Sequence, residues 1–141
     1  MKITEIFTQK VTILNKLKAA DSLSKTDVWY KTTIENAVWY EKSQSSVSGT
    51  TVQIGTSIIV EIPFNERYKS YKDWKTAGGQ LGHFTLSAGD YIIVGDVEED
   101  VTSNNITKVV SKYEPQCCTV RHFRELPKRG LSVVQLYVEG V

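Results

Sequence analysis

Apolar and polar residues alternate along much of this chain, and the prevailing period is two, the signature of half-buried strands. Phe7 to Leu14 opens the pattern, with Val11 and Ile13 on one face. Asn15 to Thr26 is rich in Lys, Ala and Ser and reads as a connection, with a helical turn at Leu17 to Ala20. Two β-rich runs follow, Asp27 to Thr33 and Ala37 to Lys42, on either side of Ile34-Glu35-Asn36. Trp29 and Tyr30 occupy places in the first that match Trp39 and Tyr40 in the second, which predicts a hairpin. Cross-strand aromatic pairs would stabilise it by about 0.2–1 kcal/mol each. Ser43 to Thr51 is polar, Ser-rich and contains Gly49, so it reads as a mobile loop or the tip of a long hairpin. Val52, Ile54, Ile58, Val60 and Ile62 then alternate with Thr51, Gln53, Ser57 and Glu61, as far as Pro63. That strand is longer than usual, which predicts that part of it projects beyond the core sheet.

The period changes twice. Ser70-Tyr71-Lys72-Asp73 has the Ser-x-x-acid form of a helix start, with Tyr71 and Trp74 on one face and Gly78-Gly79 as the stop. Thr102 to Asn105 supply capping residues for a second short helix. In it Ile106, Val109, Val110 and Tyr113 follow i, i+3, i+4, i+7, and Pro115 ends it. Between the two helices, His83 to Asp100 holds two Gly-Asp steps, Gly89-Asp90 and Gly95-Asp96, around Tyr91-Ile92-Ile93-Val94. Gly permits positive φ and Asp bonds its own nearby backbone, so this is a turn–strand–turn unit. Cys117 to Phe123 and Leu131 to Val138 are the last two strands. The expected fold is mainly β: a small antiparallel β-barrel or sandwich of about seven strands, two short helices and a long projecting loop at 43–51, in one domain over 1–141.

Composition narrows the function more than the fold. An apolar fraction of 40% and a charged fraction of 23% describe an ordinary folded protein. A formal net charge of +1 points globally to neither nucleic acid nor a membrane surface, so either role would need a local patch. The start of the chain lacks a signal-peptide apolar run, and no stretch is long enough to span a bilayer. The expected location is the cytosol or something assembled there. The adjacent Cys117 and Cys118 read as reduced thiols, whose side chains in a strand point to opposite faces.

Candidate chemistry is sparse. Asp90 and Asp96 flank a strand about 20 Å long, too far apart to converge as paired carboxylates. They and Glu98, Glu99 and Asp100 read as turn formers and a solvated acidic loop. Cys118 and His122 would share a strand face about 13 Å apart, which excludes a nucleophile–base pair and leaves zinc without enough ligands. No phosphate-binding glycine loop is present. The expectation is no enzyme, no cofactor and no metal. Two local charge clusters remain: a basic strand–loop, Arg121, Arg124, Lys128 and Arg129, as a DNA- or partner-facing patch, and the acidic Asp96, Glu98, Glu99, Asp100 loop as an inter-subunit contact.

A series of short pieces runs along the chain in order: Val11 to Lys16, Trp29-Tyr30-Lys31-Thr32-Thr33, Val38-Trp39, Ser57 to Pro63, Thr85 to Asp90 with Ile92 to Gly95, the Ile106 to Tyr113 run, and Thr119-Val120. This order resembles the head–tail connector proteins of tailed bacteriophages and prophages of Gram-positive bacteria, the head-closure (stopper) or minor capsid proteins. Glu125 to Arg129 replaces the family's D-N-x-x-x-P segment, and Tyr137-Val138-Glu139-Gly140-Val141 echoes its K-x-x-x-V-x-G-K ending without the final Lys. The resemblance implies a virion protein assembled in the bacterial cytoplasm, forming a homo-oligomeric ring of about six or twelve copies at the head–tail junction. Its partners would be a portal-proximal adaptor, tail-side proteins and the genomic double-stranded DNA in the channel, with no membrane. Ser43, Gln44, Ser45, Ser46, Val47, Ser48 and Gly49 would then be an assembly-ordered or channel-facing loop. The alternatives are a neck adaptor or tail terminator ring, or a small barrel that binds single-stranded nucleic acid.

Overall fold

In a computed structural model, which describes residues 8–63, 66–76, 80, 82–127 and 133–141, the alternating runs close into a barrel. The strands are β1 (Gln9–Leu17), β2 (Val28–Ser48), β3 (Thr51–Pro63), β4 (Tyr91–Val94), β5 (Cys117–Pro127) and β6 (Val133–Gly140). Around the barrel they run β1-β2-β3-β6-β5-β4 and back to β1, every neighbour antiparallel. Among the described residues there are also two short α-helices, α1 (Tyr71–Trp74) and α2 (Ile106–Tyr113), and a 3-10 turn at Ala19–Asp21. The mainly β, antiparallel barrel class is as the sequence predicts.

The six strands replace the expected seven because one hairpin does not exist. Asp27 to Thr33 and Ala37 to Lys42 belong to a single continuous run, with β2 unbroken from Val28. At their junction Gln9 pairs with Ala37 and Val11 with Ile34, so two steps on β1 face three on β2. The extra residue is a β-bulge, and Asn36 there takes φ +62°, a conformation Asn tolerates better than most side chains. The bulge bends the strand without reversing it. Trp29 and Tyr30 therefore never meet Trp39 and Tyr40. Trp29 packs on Tyr91 at 5.6 Å, and Tyr30 meets Trp74 edge-on at 5.5 Å.

Alternation sorts the strands into an inner and an outer set. Val11, Ile13, Ile34, Val60, Ile62, Ile92, Cys118, Val120, Leu136 and Val138 fill the interior, joined by Phe84 and Leu86 from the segment before β4. Leu14, Ile93 and Cys117 alternate with them and face outward, where Val97 and Val109 of α2 bury them. The two cysteines thus lie on opposite faces of β5. Helix α2 has the expected four-residue spacing, ends ahead of Pro115, and has Asn105 as its N-cap. In α1, Ser70 is the N-cap, but its hydroxyl donates to Asp73 rather than to the backbone, and Trp74 is fully buried. The expected stop of α1, Gly78-Gly79, lies outside the described residues. Where β5 and β6 close, Val120 pairs with Gly140. A Cβ on Gly140 would lie 2.6 Å from the Thr119 carbonyl oxygen, so only glycine fits there.

Candidate functional site

The turn–strand–turn unit of 83–100 is present, and both glycines use positive φ, +95° at Gly89 and +88° at Gly95. Asp90, however, is not solvated: it is 1% exposed. Its Oδ1 accepts the Lys16 backbone N–H at 3.1 Å, and its Oδ2 accepts Asn15 Nδ2 at 2.9 Å and the Ser87 N–H at 3.1 Å. The buried Asn15 also donates to the Thr85 carbonyl at 2.6 Å and accepts the Thr85 N–H at 3.2 Å. The carboxylate therefore clips β1 to the segment that closes one end of the barrel. Burial outweighs these three donors and raises the Asp90 carboxyl to about 6. The Thr85 hydroxyl beside them is buried with no hydrogen-bond partner among the described residues.

The acidic loop is largely engaged within its own chain. Asp96 sits 3.5 Å from the Lys10 ammonium. Glu99 accepts from Lys112 and from the Tyr113 hydroxyl, both at 3.0 Å, and this hydrogen bonding holds its carboxyl below the ordinary range. The Lys31 ammonium donates to the carbonyls of Val97, Glu98 and Glu99, fixing the loop backbone. Glu98 and Asp100 are exposed and, among the described residues, in no ion pair. No group of three or more His, Cys, Asp or Glu among the described residues is placed to hold a metal. Burial pushes both cysteine thiols up to about 12, so neither is a thiolate near neutral pH.

Of the basic cluster, Arg121 and Arg124 are exposed on β5, while Lys128 and Arg129 lie outside the described residues. The Arg124 guanidinium stacks 4.8 Å above the Tyr137 ring. Arg124 pairs with Tyr137, His122 with Glu139, Ile59 with both Glu139 and Tyr40, and Lys42 with Ser57. These residues form one outward face across β2, β3, β6 and β5. It holds a cavity of about 320 Å³ lined by Lys42, His122, Phe123, Arg124, Tyr137 and Glu139. Tyr40 is 40% exposed and Phe123 38%. The aromatic members, Tyr40 and Tyr137, are legible in the sequence as outward positions of strands that carry rings where a solvated face would carry short polar groups.

Of the two expected forms of 43–51, a mobile loop or the tip of a long hairpin, the structure has the second, a paired ribbon. Ser43 to Ser48 continue β2, β3 starts at Thr51, and Gly49, at φ +63°, and Thr50 make the turn. Strand β6 pairs with β3 only from Ile58 to Pro63, so Lys42–Ser48 and Thr51–Ser57 extend past it as a two-stranded ribbon. At roughly 3.4 Å per residue the ribbon is about 24 Å long. Its polar composition suits a mobile loop as well as a hairpin tip, because the pairing partner, the start of β3, lies across a two-residue turn that carries no Asn-Gly or Asp-Gly signal.

The model of a family of unknown function (DUF6751) matches residues 6–141, nearly the whole chain. No curated protein matches it.

Proposed function

We propose that this chain, which belongs to that family, is a structural protein of the bacteriophage head–tail junction that works as a ring of identical copies. The observation that supports this reading most is the pairing of a closed barrel with a ribbon that leaves its rim. A closed barrel has no free sheet edge and so stays discrete, while an isolated two-stranded ribbon is marginal in water and gains stability by packing against something else. In a ring, neighbouring copies or the channel contents supply that packing. Within this reading the finer role is head closure, connecting the portal–adaptor complex to the tail and lining the DNA channel. An adaptor or a tail terminator differs from it only in where the ring sits.

Electron microscopy of particles whose genome encodes the chain tests the reading. The expected result is ring density between portal and tail into which the barrel fits, with the ribbon directed toward the axis. Particles lacking the chain, or holding it away from the neck, would overturn it. A free single-stranded nucleic-acid-binding barrel would instead show affinity in the isolated chain, falling steeply with salt.

A further inference from the structure

Around the circle β1-β2-β3-β6-β5-β4, the β4–β1 pair lies diametrically opposite the β3–β6 pair. The outside of the first is covered: Leu14, Ile93, Val97, Val109 and Cys117 form a second core beneath α2. The outside of the second carries no such cluster among the described residues. It presents Tyr40 and Tyr137 around Ile59, which is fully buried although it belongs to neither core. Lys42, His122 and Arg124 rim the cavity beside them.

We infer that this bare face docks a second copy of the chain, and that it receives the acidic edge of the α2-covered side, Glu98 and Asp100. The inference rests on the ring reading above and says which surfaces make the ring. Charge complementarity carries the choice of occupant. Asp96 and Glu99 are already matched to Lys10 and Lys112 in the same chain, while Glu98 and Asp100 are exposed and in no ion pair among the described residues. The receiving face offers the Lys42 and Arg124 cations, in no ion pair among the described residues, with His122 beside them. It also carries Glu139, which accepts the Ser57 hydroxyl at 3.3 Å, and Glu61, opposite Tyr137, so the incoming carboxylates must be met by Lys42 and Arg124. The Arg124 guanidinium already lies over the Tyr137 ring, so less side-chain freedom is lost when it takes a carboxylate. Tyr and Arg around a dry centre are also the residue types that dominate binding energy at protein contacts. The two surfaces lie on opposite sides of the barrel. A pair of copies therefore leaves one of each unused, and the contact repeats head to tail; a rotation between copies that closes makes it a ring, as the ring reading requires.

Two measurements test this. Sedimentation of the purified chain at low salt should show concentration-dependent association. Arg124→Glu should weaken it at least tenfold, and so should Glu98→Arg with Asp100→Arg. Mixing the two variants should restore it, because each then offers the charge that the other lacks. Separately, Arg124→Cys and Asp100→Cys chains, mixed and oxidised, should give a crosslinked pair well above either alone, since Cys117 and Cys118 are buried and do not compete. Association unaffected by Arg124→Glu, no rescue on mixing, or no mixed crosslink would each overturn the inference. Duplex DNA binding that depends on Arg124, without the crosslink, would assign the face to nucleic acid instead. A ring in particles without this crosslink removes the docking faces and keeps the ring. The crosslink without a neck ring does the reverse.

Discussion

The two outer sides of this barrel begin from the same rule and end differently. On the β4–β1 side, outward Leu14 and Ile93 are fully buried because the chain returns after β4 and lays α2 across them. On the β3–β6 side the outward positions carry Tyr40, Tyr137 and Arg124 and remain partly exposed, the two tyrosines around a single buried isoleucine. One side is finished by its own chain. The other is left open by its own chain, and in the docking proposed above a second copy finishes it. An apolar deletion should therefore be read in folding stability on the first side and in assembly on the second.

The largest effect is expected on the covered side. Leu14 is completely buried between β1 and the α2 cluster, and Leu14→Ala should cost about 2–5 kcal/mol, the range for a leucine deleted from a packed core. Urea denaturation of the isolated chain measures it. A cost under about 1 kcal/mol would mean that α2 is loosely applied and that the two sides do not differ.

The next effect concerns the carboxylate that pins this covered side at its rim. The folded Asp90 carboxyl, raised to about 6, stands above the unfolded value of about 3.9, so folding favours its protonated form. The associated stability is fully present below about pH 4 and is lost as pH rises through about 6. Relative to Asp90→Asn, the natural chain should therefore gain up to about 2–3 kcal/mol between pH 7 and pH 4, since each pH unit separating the folded and unfolded values is worth about 1.36 kcal/mol. Denaturation midpoints of both chains across that range measure the difference. A natural chain that instead loses stability relative to Asp90→Asn toward acid would show that the three N–H donors outweigh burial and hold the anion.

What the sequence makes legible follows from which interactions are local. Val11 and Ile13, or Val60 and Ile62, mark an inner face by alternation alone, and Ile106, Val109, Val110 and Tyr113 mark α2 by their spacing, so barrel class and helix are both legible. The Asn36 bulge is not, because Ile34-Glu35-Asn36 serves a turn as well as a bulge, and only pairing with Gln9 and Val11 decides. In the sequence Asp90 resembles any turn aspartate. Its burial comes from Asn15 and Lys16, more than seventy residues away. Arg124 is legible as part of a basic run, whereas the face it shares with Tyr137, Lys42 and Tyr40 is assembled by strand order, which local sequence does not encode.

The smallest expected effect is the one that separates the two sides most cleanly. The stack of Arg124 on Tyr137 is an exposed cation–π contact, of a kind that contributes about 0.5–1 kcal/mol. Arg124→Ala should therefore lower the stability of the isolated chain by no more than about 1 kcal/mol, close to the range of ordinary surface changes. Tyr137→Ala loses more apolar contact, but it should still fall short of Leu14→Ala, because Tyr137 is half-buried and no second core rests on it. The same substitutions should impair association of copies, since an aromatic–arginine anchor at a contact carries more energy once it is desolvated. If Tyr137→Ala unfolds the chain as readily as Leu14→Ala, the β3–β6 face is core in its own right, and the contrast between a side finished in cis and a side finished by a neighbour dissolves.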